Sequence, residues 1–168
     1  MLSTAVSTPA PYAIRYPRGC GVGVEWRNKS FERVETGKGR KIKDGKALAV
    51  LTIGTVGNFA AEAIAKVEAK HAISVAHYDL RFAKPLDTAL LDEVGQRFAK
   101  VITVEDGVLR GGVGEAVSRY FNLKGYDVQV ATLGIDDKFV EQGTPAELYA
   151  QCGYDAAGIE RQILKMTT

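Results

Sequence analysis

From Lys46 onward, short strand-like runs alternate with stretches whose apolar residues recur every three or four positions. That alternation limits the folds open to the chain more than any other feature. Leu48–Ile53 is a nearly unbroken apolar run, as expected of a strand buried on both faces. Gly54-Thr55 ends it, and Val56, Phe59, Ala60, Ala63, Ile64 and Val67 then form one apolar helix face. Ile73–Leu80 reads as a second strand. Asp87 reads as the N-cap of the next helix, with Leu86 and Leu91 placed for a hydrophobic staple. Leu90, Leu91, Val94 and Phe98 carry that helix's inner face. Val101–Glu105 is a third strand. A glycine turn follows, then a helix with Val113, Ala116, Val117, Tyr120 and Phe121 inward and Gly125 at its stop. Val128–Leu133 is a fourth strand. Thr144-Pro145-Ala146-Glu147 is a capping box with proline at the first helical position. Gly153 stops that helix, and Asp155 caps a last one that runs to about Met166.

Strand–helix alternation of this kind predicts a Rossmann-like, three-layer α/β domain with a mostly parallel sheet. One antiparallel edge strand is expected as well. Thr36–Ile42 reads as a strand pairing with the next one across the Lys43-Asp44-Gly45 turn. Ahead of it the composition differs. Residues 1–45 hold Pro9, Pro11 and Pro17, one short β-like run at Tyr12–Tyr16, and the loop Gly19-Cys20-Gly21-Val22-Gly23.

Composition excludes several classes. The 168 residues are 46% hydrophobic and 25% charged, an ordinary balance for one globular domain with a short attachment. Lys plus Arg is 22 against 20 Asp plus Glu, so no strong basic field marks a nucleic-acid binder. The most apolar stretch, Ala47–Ala65, is interrupted by Gly54, Gly57, Asn58 and Glu62, which argues against a membrane span. Met1–Pro11 lacks the positive charge and apolar run of a secretory signal. Cys20 and Cys152 form no disulfide framework and fit a reducing cytoplasm. Cys152 reads as a buried small residue.

Gly111-Gly112-Val113-Gly114, between a strand and a helix, has two readings: a backbone phosphate cradle, or tight helix–sheet packing. As a dinucleotide fingerprint it fails, with Val117 at the third glycine position and no acid among Ala131, Thr132 and Leu133. Gly54-Thr55-Val56-Gly57 is similar, with Asp79 either a ribose partner or a cap on the sheet edge. Glu105 and Asp106 end a strand but point to opposite faces, so they read as turn or loop anchors rather than an acid/base pair. His71 and His77 have no metal-ligand spacing. No nucleophile elbow is visible. Arg15-Tyr16-Pro17-Arg18-Gly19 places two arginines around a rigid Tyr-Pro step. A phosphate fork and a surface ion pair suit it equally.

Ala13-Ile14-Arg15-Tyr16-Pro17-Arg18-Gly19 resembles the end of the pyrimidine-binding domain in the 1-deoxy-D-xylulose-5-phosphate synthase family. The resemblance continues through Gly37-Lys38-Gly39, Asp79-Leu80-Arg81-Phe82, Lys84-Pro85-Leu86-Asp87 and Val101–Glu105. It extends over Gly111-Gly112-x-Gly114, Gln142-Gly143-Thr144 and Asp155-Ala156-Ala157-Gly158. It implies three parts: residues 1–20 as the tail of the pyrimidine-binding domain, 21–43 as linker, and 44–168 as a transketolase C-terminal-like domain. Members are thiamine-diphosphate- and Mg²⁺-dependent transferases that condense pyruvate with D-glyceraldehyde 3-phosphate and lose CO2. By resemblance, Arg18 binds the phosphate of glyceraldehyde 3-phosphate. Cys20 stands where the family often has Asn.

The family's cofactor motif, G-D-G with an Asn about two dozen residues later, has no match here. Glu105-Asp106-Gly107 and Lys43-Asp44-Gly45 lack the first glycine, and Asn122 comes too soon. The resemblance therefore implies a cytoplasmic fragment with no catalytic, cofactor or metal residues of its own. It would be inactive alone and would serve domain packing and homodimer contacts. Its partners would be the missing N-terminal and pyrimidine-binding domains, a second copy and small-molecule substrates, with neither nucleic acid nor membrane. A stand-alone association or regulatory module, and a subunit of a split transketolase-like or 2-oxoacid dehydrogenase enzyme, are the alternatives.

Overall fold

A computed structural model describes residues 1–17, 21, 27–28 and 30–168. Five strands form one sheet: β1 (Arg40–Lys43), β2 (Leu48–Ile53), β3 (Val75–Asp79), β4 (Lys100–Val108) and β5 (Gln129–Ile135). Their order is β1-β3-β2-β4-β5. β2 runs parallel to both β3 and β4, and β4 parallel to β5. The helices are α1 (Leu2–Val6), α2 (Val56–His71), α3 (Thr88–Arg97), α4 (Val113–Lys124), α5 (Pro145–Cys152) and α6 (Ala156–Thr167). The predicted class, a three-layer α/β domain with a mostly parallel sheet and one antiparallel edge strand, is the class observed.

Alternate residues of the strands feed two cores. Leu48, Val50, Ile102 and Val104 face α2 and α6, meeting Ala60, Ala63, Ile64, Val67, Ile159 and Ile163. Ala49, Leu51, Ala76, Tyr78 and Val101 face the other way, against Leu90, Leu91 and Val94 of α3 and Val117 and Phe121 of α4. A strand covered on both sides needs apolar residues at every position, which is what the unbroken run of β2 records.

The helix ends follow the predicted chemistry. Asp87 caps α3 by accepting from the Leu90 amide, and Asp155 caps α6 through the Gly158 amide. Thr144 and Glu147 complete a reciprocal capping box on α5. Gly125 and Gly153 adopt the left-handed conformation that ends α4 and α5.

Four readings are corrected. β1 does not pair with β2; it lies antiparallel to β3, with Arg40 opposite Asp79 and Lys41 opposite Tyr78. Both edges of β2 are taken by parallel neighbours, so β1 is displaced to the rim. Its four residues are all exposed, and three are cationic, the composition that protects a sheet edge. Glu93 anchors it from α3, 2.5 Å from Lys41, while also accepting from the buried Tyr78 hydroxyl at 3.1 Å. Tyr12–Tyr16 forms no strand, having no sheet partner to receive its backbone groups. Ala116 is exposed, because the inner line of α4 runs through Gly114, Val117 and Phe121. Cys152 is only half-buried.

Asp87 also explains why two distant motifs belong together. Its carboxylate accepts from the Gly39 amide at 3.1 Å and the Lys38 ammonium at 3.4 Å, besides capping α3. The Gly37-Lys38-Gly39 and Lys84–Asp87 segments are thus the two halves of a structural clasp. Asp87→Ala is expected to cost about 2–3 kcal/mol, since a cap and a second backbone donor are lost together. Lys38→Ala removes only a half-exposed ammonium and should cost under ~1 kcal/mol. Urea denaturation midpoints of the two variants check the difference.

Candidate functional site

Connections from β2 lead first to β3 on one side and then to β4 on the other, so the strand order reverses between β2 and β4. In open α/β sheets ligands sit beyond the carboxyl ends of the strands at such a reversal. Here that position holds Ile53-Gly54-Thr55 after β2 and Glu105-Asp106 in β4.

Glu105 and Asp106 do point to opposite faces. Glu105 is buried on the α4 side. Its carboxylate accepts from the Val113 amide at 2.9 Å and the Gly114 amide at 2.8 Å. These are first-turn donors of α4, which has no other side-chain cap. The helix end that a phosphate would occupy already holds an anion of the chain's own. Close approach explains the glycines: a Cβ at Gly112 would lie 2.6 Å from the Glu105 oxygens, and one at Gly114 2.5 Å from Thr103 Oγ1. Of the two readings of this turn, tight packing is the one that holds.

Asp106 faces the α6 side. Its Oδ1 accepts from the Tyr154 hydroxyl at 2.9 Å, and its Oδ2 lies 3.5 Å from Arg15 Nη2. The Asp106 carbonyl also accepts from Arg15 Nη1. Tyr154 is buried against Tyr149, with ring centroids 5.3 Å apart, and burial together with Asp106 pushes its phenol pKa well up. Arg15 is therefore in an ion pair. Arg18, the residue that the resemblance assigned to phosphate, lies outside the described residues, as do Gly19 and Cys20.

The remaining candidates are occupied structurally. Asp79 accepts from Arg40 Nε and the Arg81 amide, both at 3.1 Å. His77 is buried in mid-strand with Nε2 3.0 Å from Thr52 Oγ1, which also lies 3.3 Å from the Tyr78 carbonyl. The hydroxyl's single proton goes to the carbonyl, so a neutral imidazole donates from Nε2. His71 sits in the last turn of α2, where the helix dipole favours a cation. Among the described residues no group of three or more His, Cys, Asp and Glu can hold a metal ion, and no helix is long and apolar enough to cross a membrane.

Thiamine diphosphate and Mg²⁺ do not fit the residues at this edge. Glu105 is taken by two amides, and Asp106 by a phenol and a guanidinium. The Glu105-Asp106-Gly107 stretch thus leaves no free carboxylate for a cation. Sequence reasoning missed the Arg15–Asp106–Tyr154 contact, because the three residues are joined only by tertiary packing. The one available signal was the position of Asp106 at the end of a predicted strand.

The chain belongs to the transketolase C-terminal domain family, which matches residues 37–159. This match begins ahead of β1, so the edge strand lies within the family's bounds. Among curated proteins, 1-deoxy-D-xylulose-5-phosphate synthase of Bacteroides thetaiotaomicron is 47% identical over 165 residues, 98% of this chain and 25% of the relative. The protein of the same name from Cytophaga hutchinsonii is 45% identical over 94% of this chain and 24% of its own length. The chain thus spans about a quarter of the curated relatives it matches. Of solved structures, a split-gene transketolase described as an inactive β4 tetramer superposes with a TM-score of 0.74. It is 30% identical, over 81% of this chain and 44% of its own. Transketolase of Campylobacter jejuni matches with a TM-score of 0.54 at 14% identity, over 77% of this chain and 18% of its own, a likeness of fold.

Two substitutions test the site's chemistry. Glu105→Gln keeps one acceptor but turns an amide toward a backbone N–H, and should cost about 1–3 kcal/mol. Faster amide exchange over residues 107–114 than in β2 checks it. His77 gives a pH signature. Burial holds its pKa below the ordinary 6.5, so between the folded and unfolded values the unfolded chain binds the extra proton. Its contribution is complete above 6.5 and is lost as pH falls toward the folded value. His77→Gln should flatten the slope of unfolding free energy between pH 7 and 5, read from urea titrations at each pH.

Proposed function

We propose that this chain is the transketolase C-terminal portion of a cytoplasmic 1-deoxy-D-xylulose-5-phosphate synthase. The whole enzyme would be a thiamine-diphosphate- and Mg²⁺-dependent transferase. It condenses pyruvate with D-glyceraldehyde 3-phosphate, releases CO2 and supplies a precursor of isoprenoids, thiamine and pyridoxal. Identity of 40–47% along nearly the whole chain to several proteins of that name carries this reading. Residues 1–20 then belong to the pyrimidine-binding domain and 21–43 to a linker. Arg18 binds the substrate phosphate, and the segments missing from this chain bring the cofactor and its metal. The chain alone has no synthase activity. Its work is to pack against those segments and to contribute homodimer contacts.

A second reading is a separately encoded subunit. It is favoured by the 30%-identical neighbour, whose description is that of a split-gene transketolase.

One assay addresses both readings. The chain is tested for product from pyruvate and glyceraldehyde 3-phosphate, alone and mixed with the remaining three quarters of the Bacteroides relative. Inactivity alone and activity on mixing is the expected result. Turnover by the chain alone overturns the inactive-fragment reading. Association without turnover, under conditions where the intact relative is active, overturns the synthase assignment.

A further inference from the structure

We propose that the carboxyl end of the sheet is the face on which the rest of the longer chain docks, through an apolar and uncharged surface of its own. This rests on the reading, given above, that the chain is the C-terminal portion of a longer synthase.

Residues 12–15 lie across this end as a strap. The Tyr12 hydroxyl meets Thr36 Oγ1, just ahead of β1, and Arg15 meets both the carboxylate and the carbonyl of Asp106 in β4. β1 opens opposite the last residue of β3. The strap therefore runs from the β3 side to β4, and β2 ends between them. Three steps of extended chain cover about 10 Å, which is two strand spacings. Tyr12 and Ile14 are half-buried while Ala13 and Arg15 are exposed, so one side of the strap faces the domain. The crevice at the reversal point is thus covered by the chain itself, and the surface on offer there is broad rather than concave.

Exposed apolar side chains gather at the same end. Val108, at the end of β4, and Phe139, between β5 and α5, are exposed, Phe139 fully. The Leu109 amide on the Ile135 carbonyl and Arg110 on Asp137, both at 2.9 Å, hold these two segments together. Tyr16 is exposed just past the strap, and Leu2, Val6 and Phe31 in the segment ahead of β1 are exposed as well. Elsewhere among the described residues the exposed large apolar side chains are Ile42 on the rim strand and Leu123 near the end of α4. Such residues scattered singly are ordinary, whereas a gathering at one end marks a contact surface. The charges there are already paired: Arg15 with Asp106, Arg110 with Asp137 and Lys138 with Asp136. A complementary face therefore needs apolar area and no charge of either sign. On the reading above, the preceding chain also enters at this end. Thr4 Oγ1 accepts from the Val34 amide at 2.9 Å and holds α1 beside the segment that leads into β1.

The experiment grafts this chain onto the Bacteroides relative in place of the quarter it matches, and compares amide exchange in the graft with that in the chain alone. Exchange over residues 107–112 and 136–143 is expected to slow about tenfold in the graft, with residues 44–47 and 124–128 at the opposite end within about twofold. Phe139→Asp should remove the slowing in both segments, and Leu123→Asp should not. Both side chains are exposed, so neither change should move the unfolding midpoint of the chain alone. Slowing at the opposite end, or at neither, overturns the proposal, as does slowing that Phe139→Asp leaves intact. Slowing there in the chain alone as its concentration rises gives the face to a second copy, and also overturns it. Turnover of pyruvate and glyceraldehyde 3-phosphate by the same graft separates the two readings. Turnover with the carboxyl end unprotected keeps the synthase reading and removes the docking face. Protection there without turnover, where the intact relative is active, keeps the face and removes the synthase assignment. Should the graft not fold, the chain is mixed with the remaining three quarters of the relative, and the same segments and variants decide.

Discussion

β2 has no side that meets water. Parallel neighbours hydrogen-bond to both of its edges, and a separate core covers each of its faces. Everything else is arranged around that burial. Val50 and Leu51 need α2 and α6 on one side and α3 and α4 on the other. The strand order must then reverse beside β2, because the chain leaves to one side and returns on the other. The reversal creates the edge where Gly54, Thr55, Glu105 and Asp106 meet. The position of the candidate site is thus a consequence of how the central strand is covered.

At that edge two adjacent carboxylates do different work because a strand alternates its side chains. Glu105 turns toward α4 and supplies the anion that the helix end attracts. Asp106 turns toward α6, where Tyr154 and Arg15 share it. Neither carboxylate is free for general acid/base work or for a metal. The carboxyl edge has the location of a ligand site and the wiring of a docking point. That agrees with a domain spanning about a quarter of the curated relatives it matches.

Much of the architecture was legible residue by residue. The run of β2, the apolar face of α2, the caps at Asp87, Thr144 and Asp155, and the stops at Gly125 and Gly153 are local signals, and the structure keeps each of them. The edge strand was legible as a strand, but its partner was not. An Asp-Gly turn argues for pairing with the next strand in sequence. β2, however, has both edges occupied, and Lys41 meets Glu93 and Tyr78 only when β1 lies outside β3. Ala116 was misplaced for a smaller reason: the tight contact of Gly114 with Thr103 sets the rotation of α4.

Sequence by itself determined the class of fold, the family and the places where helices begin and end. Those depend on spacing within a dozen residues, on caps, and on motif strings that need no partner to be read. Tertiary structure decided which strand lies beside which. It also decided that the glycine turn encloses a carboxylate rather than a phosphate, and that Arg15, Asp106 and Tyr154 meet. Those outcomes depend on competition for one edge, one helix end and one acceptor among residues far apart in the chain. Such competition is settled only when the sheet has closed and the donors and acceptors are within about 3 Å of one another.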